Sequence, residues 1–185
     1  MTWIVLGALA VLVVLVIGWL VGRYDGLVRR RNQVDNAWGQ IDVQLERRYD
    51  LIPNLVETVK GYATHERSTL DAVVRARAAA LGAQGPAARA EADNALTGTL
   101  KSVFAVNEAY PQLKANAGFQ RLQDELTHTE DRAAYARQYY NDAVPSDNNA
   151  VQSLPGPLIA GPIGFRPREY FRAVGEEQGP FTVRF

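Results

Sequence analysis

The hydrophobic pattern divides the chain into three stretches. From Trp3 to Gly22 it reads WIVLGALAVLVVLVIGWLVG, 20 residues without an ionisable side chain. As a helix rising about 1.5 Å per residue, this run spans about 30 Å, the hydrocarbon thickness of a bilayer. A cleaved signal peptide would have a basic leader, a shorter apolar core and a small-residue cleavage site. Only Met1 and Thr2 precede this core. The expectation is a transmembrane anchor over residues 1–22.

Beyond the anchor the period becomes helical. Val34, Trp38, Ile41, Leu45, Ile52, Leu55 or Val56, Val59, Ala63, Leu70 and Val73 recur at steps of three and four. Asp35, Gln40, Glu46, Lys60 and Arg67 take the opposite face. The stripe is interrupted at RRYDLIPNL, where Pro53 lacks a backbone donor and crowds the preceding turn. With Asp50 as a cap, Pro53 falls in a first turn, where a missing donor costs little. This predicts one helix ending near Arg48 and a second starting near Leu51. The alternative is one long kinked helix.

The second helix stops at Gly82, Gly85 and Pro86. A third, from about Ala87, carries Ala92, Leu96, Leu100, Val103, Val106, Tyr110 and Leu113, frays at Tyr110-Pro111 and ends by Gly118. The fourth carries Phe119, Leu122, Leu126, Ala133, Ala136, Tyr140 and Val144 and ends at Pro145. Short connections make neighbours antiparallel. The predicted fold is all-α: a single N-terminal transmembrane helix, then an up-and-down four-helix bundle over residues 23–144. An extended tail, 145–185, follows.

That tail is rich in Pro and Gly yet carries Leu158, Ile163, Phe165, Tyr170, Phe171, Phe181 and Phe185. A solvated linker would not hold so many large apolar groups. A short helical turn is expected around Arg168 to Ala173. Phe165, Tyr170, Phe171 and Phe185 are interaction candidates, docking either on a second subunit or back on their own bundle. Gly18 and Gly22 form a small-xxx-small pair on which two anchors can pack.

Charge adds orientation. Lys plus Arg and Asp plus Glu number 20 each, all after residue 22. The balance argues against nucleic acid as a partner, which needs a basic excess. Arg23, Arg29, Arg30 and Arg31 follow the anchor closely, and no Lys or Arg precedes it. The positive-inside rule then puts the bulk of the chain in the cytoplasm, as a single-pass protein of the inner membrane. There is no Cys, which excludes disulfides, thiolate metal sites and a lipid-carrying cysteine.

Three runs carry a family resemblance. RNQVDNAWGQIDVQLERRYDLIPNLVETVKGYATHE (Arg31 to Glu66), YPQLKANAGFQRLQDELTHTEDRAAYARQYYNDAV (Tyr110 to Val144) and LIAGPIGFRPREYF (Leu158 to Phe171) closely resemble the LemA family. The resemblance implies a bacterial, membrane-anchored helical bundle. It brings a fold and no reaction. Where the family extends its last helix past NDAV, Pro145 and Asp147 stand here, predicting a shortened or kinked end.

Catalytic chemistry finds little support. His65-Glu66 begins HERST, but a zincin helix needs a second His where Thr69 stands. His65 and His128 read as helix-face residues, so neither a metal nor a cofactor is expected. There is no nucleophile triad, phosphate loop or small-molecule substrate signature. Arg47, Arg48, Asp50, Asn54, Arg77, Arg137 and Asn141 form either a recognition surface or caps and interhelix ion pairs, the second being favoured. Two roles follow. One is a non-enzymatic scaffold or adaptor that forms a homo-oligomer at the membrane. The other is an accessory subunit of another membrane protein, such as an integral membrane zinc metallopeptidase.

Overall fold

A computed structural model describes residues 1–172; Phe185 and the rest of the final stretch of the tail lie outside the described residues. Among the described residues there are helices and no strands. In order they are α1 (Thr2–Lys60), α2 (Arg67–Gly82), α3 (Pro86–Ala109), α4 (Pro111–Lys114), α5 (Ala117–Gln152) and α6 (Gly156–Ala160). The all-α expectation holds, but the end of the first helix, the start of the second and the end of the last all move, and the third ends at Ala109 with the short α4 after it.

The first correction concerns Pro53. The chain does not reverse at Arg48–Asp50; α1 is one helix of 59 residues with Pro53 inside it. A proline there removes the bond to the carbonyl four residues back, that of Tyr49. Arg77 of α2 supplies the missing donor: its Nε donates to the Tyr49 carbonyl oxygen at 2.7 Å. Asp50 caps nothing; its side chain is 80% exposed and stands 4.0 Å from Arg77 Nη2. The reversal comes later, at Gly61 to Glu66, in a segment without proline. Tyr62 and Ala63 both donate backbone bonds to the Val59 carbonyl, closing the helix. Ala63 is fully buried just past the last turn, so it stays in phase with the stripe after the helix has ended.

The second correction concerns Pro145, which also lies inside a helix: α5 continues to Gln152. The predicted turn around Arg168 is not helical; residues 165–172 are irregular. Two side-chain bonds hold them instead, with Asn148 accepting from the Arg168 backbone N–H at 2.6 Å and donating to its carbonyl at 2.9 Å.

The chain divides into two compact units. The first comprises residues 1–39 and 138–168. Its α1 portion starts with the apolar run, whose side chains are exposed all round. A helix apolar on every side is at home in a lipid environment. Further along, Leu27 of α1, Val151 of α5 and Ala160 of α6 form a small core against which Ile159 and Phe165 pack. Trp38 meets Tyr140 edge to face, with ring centroids 5.7 Å apart. Gly156 is required here: a Cβ would run into the Ala150 carbonyl oxygen.

The second unit comprises residues 40–137 and, of those described, 169–172. Portions of α1 and α5 with α2 and α3 make its four helical walls. Ile41, Leu45, Tyr49, Ile52, Leu55 and Val59 are the buried stripe of α1. They meet Leu70 and Val73 of α2, Leu96, Leu100 and Val103 of α3, and Phe119 and Leu126 of α5 in the core. Asn116 is the N-cap of α5, its Oδ1 accepting from the Phe119 N–H at 2.9 Å. Its amide donates to the Tyr62 hydroxyl at 2.8 Å, tying the cap to the α1–α2 turn.

Arg77→Ala should cost about 1–2 kcal/mol, because it leaves a backbone acceptor without its donor. In a Pro53→Ala background the helix regains its own bond to Tyr49, and the same substitution should cost less than half as much. A double-mutant cycle by chemical denaturation measures the coupling; additive effects would mean that Arg77 does not substitute for the lost bond.

Candidate functional site

Charged residues lie inside both units. In the second, the stripe of α1 is crossed by Arg48, which sits three residues after Leu45 and four before Ile52. It is 3% exposed, as is Asp93 of α3. Arg48 Nη1 donates to both Asp93 carboxylate oxygens at 3.1 Å. Its Nη2 donates to Thr97 Oγ1 at 3.0 Å and pairs with Glu130 of α5. Beside this cluster Arg89 of α3 pairs with Asp42 of α1.

Burial sets the electrostatics of this cluster. Desolvation raises the Asp93 carboxyl above the usual carboxylate range; the Arg48 guanidinium pulls it back only in part, and the Glu130 charge adds to the rise. Tyr49, also buried, is pushed up to about 12 by desolvation and then by the Asp93 charge. Arg89 pulls in the opposite sense, although its geometry makes no hydrogen bond to the Tyr49 hydroxyl. Nothing in this arrangement frees a base or a nucleophile. Its chemistry is that of an ion-pair lock between three helices.

The first unit has its own buried pair. Asp147 of α5 is fully buried, with Oδ2 3.2 Å from Arg31 Nη2. Arg31 Nη2 also donates to the Arg166 carbonyl at 2.7 Å, and its guanidinium lies over the Phe165 ring, 4.6 Å from the centroid. Arg168 pairs with Asp35. Next to these contacts is an open cleft of about 350 Å³. One wall is Arg23, Leu27 and Arg30 of α1. The other is Ser146 and Asn149 of α5, with Ser153 and Leu154 just beyond.

The residues expected to interact are spread out. Gly18 and Gly22 lie on the exposed apolar helix with open space where a Cβ would stand. Phe165 is half-buried in the first unit under Arg31. Phe171 is buried in the second unit, with the Arg137 guanidinium 6.0 Å from its ring centroid. Tyr170 is 38% exposed, and Phe185 lies outside the described residues. Of the polar set, Arg47 reaches Glu125 at 3.6 Å, and Arg48 and Arg77 make the interhelix contacts given above.

Sequence reasoning passed over Asp93, and it used Asp147 only for the end of the last helix and Arg31 only for orientation. A signal was present for each aspartate. Asp93 is in phase with Ala90, Leu96 and Leu100, and Asp147 with Tyr140, Val144 and Val151. A carboxylate on an apolar stripe calls for a buried cation opposite. Ala92, assigned to the α3 stripe, is only half-buried, since the stripe runs one residue further on through Asp93.

One helix long and apolar enough to cross a membrane, joined to a helical core locked by buried ion pairs, defines a membrane-anchored helical bundle. The LemA family matches residues 37–185, and the chain belongs to that family. Among its relatives are the magnetosome proteins MamQ 1 and MamQ 2 of Paramagnetospirillum magneticum, each 25% identical over 186 residues. Those matches cover 86% of this chain and 68% of the relative. Protein LemA of Metamycoplasma hominis is 25% identical over 138 residues, covering 72% of this chain and 62% of the relative.

Arg48→Met should destabilise the protein by about 3–5 kcal/mol, because it strands the Asp93 carboxylate in the core. Adding Asp93→Leu should recover most of the loss, measured by urea denaturation of the detergent-solubilised chain. A double variant as weak as the single one would contradict the pairing.

Tyr49 makes stability depend on high pH. Its folded pKa of about 12 lies above the ordinary 10.0, so the folded state retains a proton that the unfolded chain releases. The contribution is complete below pH 10 and is lost as pH rises towards 12, amounting to about 2–3 kcal/mol. Tyr49→Phe should lose correspondingly less stability than the parent between pH 9 and pH 12. Parallel losses would show that the phenol titrates normally.

Proposed function

We infer that the chain is a non-enzymatic scaffold or adaptor, held in the bacterial inner membrane by residues 1–22 with its bundle on the cytoplasmic side, and that it self-assembles there. The observation that carries this reading is the use of the buried charges. Arg48, Asp93, Arg31 and Asp147 are engaged in ion pairs between segments of the chain, which suits a rigid support better than a reaction centre. The relatives' names, a magnetosome protein and a LemA protein, designate no reaction. The arginines at 23, 29, 30 and 31 support the orientation. The open glycine face at Gly18 and Gly22 supports close contact between anchors, and Leu158, 73% exposed, offers further apolar surface.

Light scattering of the full chain in mild detergent tests self-assembly. The expected protein mass is a multiple of 20.4 kDa, falling towards a single copy in the Gly18→Leu, Gly22→Leu variant with its helical signal intact. A single-copy mass for the parent at micromolar concentration would refute self-assembly. Stoichiometric co-purification with a membrane enzyme would replace the scaffold by an accessory subunit. Protease treatment of intact spheroplasts tests orientation: a C-terminal tag should survive until lysis.

A further inference from the structure

The three consecutive arginines after the apolar run have different surroundings. Arg31 is committed to Asp147 and the Arg166 carbonyl. Arg30 and, seven residues earlier, Arg23 share one face of α1 and line the cleft. Neither takes part in an ion pair among the described residues. The facing wall offers the hydroxyls of Ser146 and Ser153 and the amide of Asn149, and no carboxylate lines the cleft. Arg30 and Arg23, whose guanidinium lies 5.5 Å from the Trp19 ring centroid, have no counter-ion among the described residues, and with the neutral hydrogen-bonding groups around a space of about 350 Å³ they suit a compact anion.

Position identifies the carrier of that anion. Arg23 is the first ionisable residue after the apolar run. Arg30 lies about 10 Å further along the helix, and the polar layer of a bilayer is about 5–8 Å deep on each side. The cleft therefore begins at the depth of the lipid phosphates. Its rim is apolar as well: Leu154 lines it and is 82% exposed, and Leu158 of the adjoining α6 is also exposed. Large apolar groups beside a cationic cleft suit an acyl chain and its headgroup together, whereas a free ion would have no use for them. The C-terminal carbonyls of α5 end near Ser153 and repel an anion there, which directs the phosphate to the Arg23–Arg30 wall.

We propose that this cleft binds the phosphate of an anionic phospholipid headgroup, held by Arg23 and Arg30 and bordered by Ser146, Asn149 and Ser153. The proposal rests on the reading of residues 1–22 as a membrane anchor. An alkaline carbonate wash of membranes tests that reading separately, because an anchored chain stays in the pellet.

The binding test uses the full chain in a neutral maltoside detergent, titrated by calorimetry with short-chain phosphatidylglycerol, short-chain phosphatidylcholine and inorganic phosphate. Saturable binding of phosphatidylglycerol is expected, at least tenfold tighter than phosphatidylcholine, with inorganic phosphate failing to compete at equal concentration. Each arginine is expected to contribute about fivefold, so Arg23→Gln with Arg30→Gln should weaken binding about 25-fold. Arg29→Gln, outside the cleft, should change it less than about threefold. Ser146→Leu fills the opposite wall without touching a charge and should also abolish binding. Equal affinity for the two lipids, or equal losses in the Arg29 and Arg23/Arg30 variants, would overturn the site. Displacement by inorganic phosphate at equal concentration would overturn the lipid assignment. A chain that stays in the carbonate pellet but shows no lipid preference sinks the proposal alone; one released by carbonate sinks the anchor reading.

Discussion

The bond from Arg77 Nε to the Tyr49 carbonyl satisfies the acceptor that Pro53 leaves without a backbone donor inside α1. A proline in a helix interior removes one backbone bond and costs about 3 kcal/mol, enough to end most helices. Here a side chain from α2 takes over the orphaned acceptor, and α1 runs unbroken from Thr2 to Lys60. Had the chain turned at Asp50, Ile52 to Val59 would belong to a separate helix after the turn. Instead one helix carries the apolar run, the arginines that follow it, and the buried stripe from Ile41 to Val59. Within each unit its phase is set by about 100° per residue.

The buried charges follow from that phase. Arg48 sits on the apolar stripe of α1 and must find partners or remain uncompensated, and only the α3 and α5 registers that present Asp93, Thr97 and Glu130 provide them. Desolvating these groups costs several kcal/mol each, so the cluster adds little net stability. The raised Asp93 pKa reflects the same balance: burial outweighs the pairing. Removing one partner alone would strand the other in the core, so Arg48 and Asp93 depend on each other more than the fold depends on the pair. Arg31 and Asp147 stand in the same relation in the first unit, where α5 has passed Pro145.

These features also show where the sequence is readable. Helical period and the breakers at Gly82 to Pro86 correctly mark the end of α2 and the start of α3, because each signal is local. Pro53 misleads for a physical reason: whether a helix survives a proline depends on what meets the freed carbonyl, and here that group lies elsewhere in the sequence. Arg77 is 28 residues from Tyr49. The true reversal at Gly61 to Glu66 is hidden because Ala63 stays in phase with Val59 after the helix has closed. The cleft was the least legible feature, since it needs Arg23 and Arg30 brought opposite Ser146 and Asn149 by folding.

The arginine run shows how one sequence signal serves several ends. Positions 29, 30 and 31 point about 100° apart around α1. Arg31 therefore faces the buried Asp147, Arg30 the cleft, and Arg29 neither. A count of positive charge after an apolar segment treats the three as equal, and for orientation in a membrane they are. For the folded chain they differ. Arg31 is needed because Asp147 is fully buried, and its guanidinium also covers Phe165 and binds the Arg166 carbonyl, which fixes the irregular segment leading to the Asn148 clamp on Arg168. The tail is thus held by a charge that composition alone would assign to membrane topology. Arg30, a single residue away, remains available to a ligand because its neighbour has already met the only carboxylate buried in this unit.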